Sequence, residues 1–315
     1  MSYTTTNLSW ITCSYATTLP EKTGITSHFG QQFGQPHIDP RVIEDAGITS
    51  DQAELIYKTV TNMAPTWSAA LDPKDPTLTY EVAGTKLIIT EDASILILND
   101  GERLGGASAS KVVTKATELF TGDFYAMARM KSDPERRLSR TYRDPSEDEF
   151  NNELGVARDL PNQPGILPIR WHNLAAQWMM TPRYTTTLED FGGRINKEEF
   201  GIILIRLLEG VRAMHARKIV ICDVSTKNIL LKMDPRTQRV IDCVLMDFAN
   251  SRRGLSDDKF RRASELDRSL LCFPIDALSR LGRREVCQRL LTCLYHVEHP
   301  METVVKAAQK YIDTL

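Results

Sequence analysis

No apolar run in this chain of 315 residues is long enough to cross a bilayer, so nothing in it calls for a membrane span. The opening residues, MSYTTTNLSW, lack the basic start and apolar stretch of a secretory signal. Neither charge sign is in excess: 39 Lys and Arg against 41 Asp and Glu leave a net of -2. That balance does not fit a general binder of nucleic acid or membrane surfaces. No two of the six cysteines, at 13, 222, 243, 272, 287 and 293, form a CxxC pair. They read as reduced thiols of an intracellular protein, cytoplasmic or nuclear, a composition an injected effector would share. No internal repeat is visible. One cluster, "CQRLLTCLYHVEHP", puts Cys293 and His296 three apart, with Cys287 and His299 nearby. Its spacing matches no known zinc module, and buried cysteines beside surface histidines are the simpler reading.

Residues 1–40 show no periodicity and read as an arm or irregular loops. "TSDQAELIYKTVTNM" then predicts a helix with a Thr49–Gln52 capping box and an apolar face of Ala53, Ile56, Val60 and Met63. "PTWSAALDPKDP" is expected to break it. From Leu78 short strands follow: "LTYEVAG", "KLIITE", "SILILND", then further strands to Met130. "DPSEDEFNNELGVARDL" reads as a helix ended by Pro161, and "NKEEFGIILIRLLEGVRAMHARK" as a strongly apolar helix. "IVICDVSTKNILLKMD" and "RVIDCVLMDFANS" carry two short strands around a turn, and the tail is helical in pattern. This order predicts an α+β, bilobal protein. The expected divisions are an N-terminal extension at 1–94, a strand-rich lobe at 95–183 and a reduced helical lobe at 184–315.

Three stretches carry chemistry when taken together. "LGGASASKV" offers small residues for a phosphate-covering loop. Asp223 and Asn228 stand five apart between apolar runs. Asp247-Phe248-Ala249 follows nineteen residues after Asn228. In this order and spacing the chain from about Ile95 to Leu291 resembles the protein kinase superfamily. Compact atypical members, such as bacterial effector kinases and the small kinase of the tRNA-modifying complex, are the nearest in style.

The resemblance implies a role for each residue. Leu104, Gly105, Gly106, Ala107, Ser108, Ser110 and Val112 would form the loop over the phosphates. Asp223 would be the catalytic base, with Lys227 beside it, and Asn228 and Asp247 would hold Mg2+ (or Mn2+). Backbone near Thr181 to Arg183 would bind adenine, with Met180 as gatekeeper and Ala126 and Leu230 completing the nucleotide set. Asp267 would start the long core helix of the helical lobe.

Departures from the family shape the functional reading. The phosphate-binding lysine position falls on Ala128, so Glu153, where its helix partner belongs, is expected to have no lysine to meet. Strand alternation points Arg129 away from the cleft if Ala128 faces it. If Val112 faces adenine, Lys111 faces outward, so rescue by Lys111, Lys115, Arg129 or Lys131 is the least favoured explanation. An engineered Lys→Ala substitution is favoured over a natural pseudokinase, because Asp223, Asn228, Asp247 and Glu153 are all retained. Ile221-Cys222 replaces the usual His-Arg, which argues against control by loop phosphorylation. Arg252, Arg253, Lys259, Arg261 and Arg262 offer a basic stretch that could steer an acidic partner, but such a run reads mainly as a solvated surface. No A-P-E motif follows.

The resemblance thus implies ATP-dependent phosphorylation of a protein Ser/Thr hydroxyl, impaired here by Ala128. The alternatives are a pseudokinase acting as a nucleotide-binding scaffold, or a small-molecule phosphotransferase. The expected partner is a protein, with no specific nucleic acid and no membrane.

Overall fold

In the computed structural model the described residues are 38, 40–70, 77–92, 94–104, 111–131, 147–295 and 301–314. They form an α+β structure. Seven strands make one antiparallel sheet: β1 Thr77–Val82, β2 Thr85–Thr90, β3 Ile95–Arg103, β4 Lys111–Glu118, β5 Phe124–Met130, β6 Trp171–Asn173 and β7 Trp178–Pro182. Their order is β1-β2-β3-β4-β5-β7-β6. The sheet curls until its edges meet. Asn173 Nδ2 donates to Thr77 Oγ1 at 3.4 Å, and Trp171 Nε1 donates to Asp92 Oδ1 at 3.2 Å.

Both faces of this sheet are covered, which explains why β2 and β3 read as unbroken apolar runs rather than alternating ones. Leu87, Ile89, Ile95 and Ile97 point to one face and meet Ala46, Ile56 and Val60. Those three come from helices α1 (Pro40–Ala46) and α2 (Ser50–Ala70). Ile88, Leu96, Ala116, Met127, Trp171, Trp178 and Met180 fill the opposite face, inside the curl. Because β2 pairs with β3 from Lys86↔Leu98 to Ile89↔Ile95, the sheet runs straight across the expected division at 94/95. The extra strands expected in the N-terminal extension, β1 and β2, are members of this sheet.

The predicted capping box opens α2: Thr49 N donates to Gln52 Oε1 (2.8 Å) and Gln52 N to Thr49 Oγ1 (3.2 Å). Helix α2 runs through Pro65 and ends at Ala70, within the stretch expected to break it.

Helix α3 (Glu147–Asp159) packs Phe150 and Leu154 against Met130 and Met179 of the sheet. The remaining elements are mostly helical. Helix α4 (Lys197–Ala216) lies at their centre, opened by a reciprocal Asn196–Glu199 capping box. A three-stranded sheet, ordered β10-β9-β8, packs on it: β8 Thr186–Thr187, β9 Ile229–Met233 and β10 Val240–Leu245. Glu199 does double duty, its Oε1 also accepting from Val240 N at 2.9 Å. Around α4 stand α5 (Asp257–Leu278), α6 (Arg284–Tyr295) and α7 (Met301–Thr314), with a π-helical turn at Ser279–Arg283 joining α5 to α6. No helix among the described residues is long and apolar enough to cross a membrane.

Backbone contact between Gly165 and α4 ties the turn between α3 and β6 to the helices. Gly165 has φ +80°, and an added Cβ would stand 1.9 Å from the Arg206 carbonyl oxygen. A Cβ on Gly210 would lie 2.7 Å from the Gly165 oxygen. The Gly165 carbonyl also accepts from Leu245 N at 2.8 Å. Gly165→Ala is therefore expected to lower unfolding free energy by about 3 kcal/mol or more, combining left-handed strain with a backbone clash. Urea denaturation checks this; a loss below about 1 kcal/mol would mean the contact relaxes freely.

Candidate functional site

The loop between the helical core and β9 is built on one buried carboxylate. Asp267 is fully buried in the middle of α5. Its Oδ2 accepts from Ile221 N at 2.8 Å and its Oδ1 from Cys222 N at 2.7 Å. His215 Nε2, in the last turn of α4, lies 2.9 Å from Oδ2. The expected helix start at Asp267 needs correction: α5 begins at Asp257, and Asp267 is an interior residue aimed at the loop. Cys222, held by these bonds, takes a left-handed φ of 66°, and Asp223 follows it. Val224, buried, and a 3-10 turn at Thr226–Asn228 carry the chain into β9.

Asn228 is buried, and its Nδ2 donates to Asp223 O at 3.0 Å. Its backbone oxygen accepts from Met246 N at 2.9 Å, which sets Asn228 next to Asp247 at the end of β10. Asp247 also has a left-handed φ, 61°. Phe248 behind it is buried in the helical core. Arg252 and Val220 then exchange two backbone hydrogen bonds, of 2.9 and 3.0 Å, tying the segment after Asp247 to the chain before Asp223. The predicted trio of Asp223, Asn228 and Asp247 is thus assembled by adjacent backbone.

Lys111 overturns one expectation. Its ammonium donates to Glu153 Oε2 and, at 3.1 Å, to Asp247 Oδ1. Glu153 therefore does have a lysine to meet, supplied by β4 instead of β5. The physical reason is strand parity. Lys111 pairs with Met130 and Val113 with Ala128 across the β4–β5 ladder, so Lys111, Val113, Ala126 and Ala128 share a face. That face also receives α3. Val112, expected to face a nucleotide, pairs with Arg129 on the opposite face. A one-residue slip in register reverses every side chain. Burial alone would pull the Lys111 ammonium down, but Glu153 and then Asp247 outweigh it and hold it above the ordinary lysine range. Burial pushes the Glu153 carboxyl up, opposed by Lys111.

The same parity puts Met180 and Thr181 on opposite faces of the sheet. Met180 points into the curl with Met127 and Trp171. Thr181, buried, pairs with Ala126 and lies on the Ala126–Ala128 face. Arg183 N donates to Phe124 O at 3.1 Å. By strand alternation this turns the Pro182 carbonyl away from β5. Leu230, half-buried, faces away from the core that holds Ile229 and Leu231. Lys227 stands outward, 74% exposed, with Glu189 Oε1 at 3.9 Å.

Leu104 N donates to Val113 O at 2.8 Å, which brings the end of β3 to β4. Gly105, Gly106, Ala107, Ser108 and Ser110 lie outside the described residues, as do Cys13, His296 and His299 and the side chain of Cys293. Cys222, Cys243 and Cys287 are free thiols, and burial pushes the Cys287 thiol up to about 12.

Sequence reasoning missed Asn152 and Gly155, and it took Arg253 for part of a solvated run. Arg253 instead pairs with Asp159 of α3, whereas Lys259, Arg261 and Arg262 are exposed as expected. A signal for Lys111 was available: a carboxylate on a helix facing the sheet needs a cation, and Lys111 was near enough to supply it.

Oxygen donors suit a hard divalent cation. Asp247 keeps a partly exposed carboxylate, and Asn228, its Nδ2 committed to Asp223 O, keeps its amide oxygen as the remaining group. Among the described residues no cluster of three or more His, Cys, Asp or Glu side chains is arranged to hold a metal ion by itself. Two protein ligands fit Mg2+, which commonly completes its shell with water and phosphate oxygens. No protein-family model matches the chain, and a search of curated proteins finds no match.

Asp267→Ala should leave two loop N–H groups without their acceptor. A stability loss of about 3 kcal/mol is expected, with Asp267→Asn losing less because one carbonyl oxygen remains. Denaturant midpoints of the two variants check the order, and equal midpoints would remove Asp267 as the loop's anchor.

Proposed function

We propose that this protein transfers the γ-phosphoryl group of ATP to a serine or threonine hydroxyl of a protein, on a bilobal kinase-like fold, and that Lys111 does the work of the missing β5 lysine. The observation that carries this reading is the Lys111 ammonium held between Glu153 and Asp247. A fixed cation beside a carboxylate suited to Mg2+ is what a triphosphate requires. It removes the reason for reading the chain as impaired, since Ala128 no longer marks a lost function.

In this reading the nucleotide lies between the Ala126–Ala128 face and Leu230. Thr181 stands at the back, and the Pro182 carbonyl offers an acceptor for the base. Lys111 binds phosphate oxygens. Asp247 and Asn228 would hold Mg2+, which supplies charge neutralisation on the phosphates when bound. The Asp223 carboxylate orients the acceptor hydroxyl and takes its proton as the hydroxyl oxygen bonds to phosphorus. The bond from phosphorus to the ADP oxygen breaks in the same displacement, so ADP leaves with the electron pair.

The test is phosphate transfer from ATP and Mg2+, run against a protein mixture and a panel of small hydroxyl metabolites. The unaltered chain is expected to phosphorylate protein. Lys111→Met should lower kcat by about 10²-fold or more, the loss typical of removing one preorganised charge-stabilising group. Ala128→Lys should give no gain, because Lys111 already occupies the carboxylates. Full activity in Lys111→Met would sink the lysine assignment. An unaltered chain silent on both panels would sink phosphoryl transfer, and activity confined to the metabolites would replace the protein acceptor.

A further inference from the structure

Helix α3 is fixed from two sides, and only one of them involves Lys111. On the other side the segment after Asp247 runs along the helix. Asn152 Nδ2 donates to Ala249 O at 3.2 Å and to Ser251 O at 3.3 Å. Arg253 Nη2 donates to Asn152 O at 3.3 Å, and its Nη1 donates to Asp159 Oδ2 at 2.6 Å. The guanidinium lies directly on Gly155. A Cβ there would stand 2.9 Å from Nη1, 3.0 Å from Nη2 and 3.1 Å from Cζ. Gly155 is an ordinary helical position with no left-handed φ, so its lack of a side chain is explained by this seat rather than by backbone conformation. Both Asn152 and Gly155 flank Glu153 closely in sequence.

We infer that Arg253, seated on Gly155, is a positioning residue. With Asn152 it clamps α3 to the segment 249–253, so that Glu153 stays at Lys111. This rests on the reading of Lys111 and Glu153 given above. The clamp uses unmodified side chains only. Arg252 beside it is bonded to Val220, so the clamp is continuous with the loop that carries Asp223. The site is therefore assembled in the unphosphorylated chain, and phosphorylation of this segment is not needed to order α3.

The decisive variant is Gly155→Ala. It removes no polar group, and alanine favours the helix by up to about 1 kcal/mol over glycine. Its methyl group displaces the guanidinium. Arg253→Ala and Arg253→Lys accompany it, with Glu153→Gln as reference. The first readout needs no nucleotide: acetylation of Lys111 by an N-hydroxysuccinimide ester, followed by mass spectrometry. Loosening the Glu153 pairing makes the Lys111 amine more reactive, so Gly155→Ala and Arg253→Ala should each raise its acetylation about tenfold, toward Glu153→Gln. The thermal midpoint of Gly155→Ala should not fall. Arg253→Lys keeps a cation for Asp159 but loses the fork, and should lie between. The second readout is phosphate transfer, expected to fall in the same order and to be indifferent to phosphatase treatment of the unaltered chain. Unchanged Lys111 acetylation in both Gly155→Ala and Arg253→Ala overturns the clamp. Loss of transfer on phosphatase treatment overturns its independence from phosphate. Raised acetylation with no transfer in any form leaves the clamp standing and rejects phosphoryl transfer instead.

Discussion

A lysine ammonium held by two carboxylates joins three parts of this protein. Lys111 comes from the sheet, Glu153 from α3 and Asp247 from the hairpin of the helical half. Glu153 is buried, and a buried carboxylate without a partner is costly; breaking such a pair by removing one member typically costs about 3–5 kcal/mol. The position of α3 therefore depends on a cation arriving from the sheet. The sheet can supply it from β4 because β5 presents only a methyl group at Ala128. Two long side chains from neighbouring strands of one face would compete for the same carboxylates. Alanine at 128 and lysine at 111 are two halves of one solution.

The second constraint is Asp267. Two non-glycine residues beside the functional groups, Cys222 and Asp247, take left-handed conformations. Each such residue carries strain of about 1–2 kcal/mol, which persists only where surrounding contacts over-determine the backbone. For Cys222 the determinants are the Asp267 bond to its own N–H and the bond to Ile221. For Asp247 they are the bond from Met246 N to Asn228 O on one side and the Val220–Arg252 exchange on the other. The side chains are aimed by a backbone that would not choose these angles alone.

Much of this was legible in the sequence, and the failures share one cause. The strands, the helices around Glu153 and the apolar α4, and the Thr49–Gln52 cap all follow from local pattern. The grouping of Asp223, Asn228 and Asp247 is what the family resemblance of their motifs implies. What failed was parity. Turning Val112 toward the expected cleft sent Lys111 outward, and grouping Met180 with Ala126 joined side chains of opposite faces. Each error is one residue long, and on a strand one residue reverses the face. Local pattern cannot correct this here, because the sheet is buried on both sides and its apolar residues do not alternate. The Arg253 seat on Gly155 was hidden for another reason. It joins residues about a hundred positions apart, and neither carries a periodic signal.

Strand β4 draws these features together. Its far end leads into Leu119, which packs with Ile56 and Val60 of α2, while Leu96 and Ala116 fill the opposite face. Its near end carries Lys111 to Glu153 and Asp247. Eight residues thus connect the core made by the N-terminal helices to the charged centre of the site. A strand buried along most of its length on both faces does not slide by fractions of a residue, because a slip exchanges its two sets of side chains. The N-terminal strands and helices therefore bear on Lys111 by fixing the register of β4. That register decides whether position 111 presents a lysine to the carboxylates or to solvent.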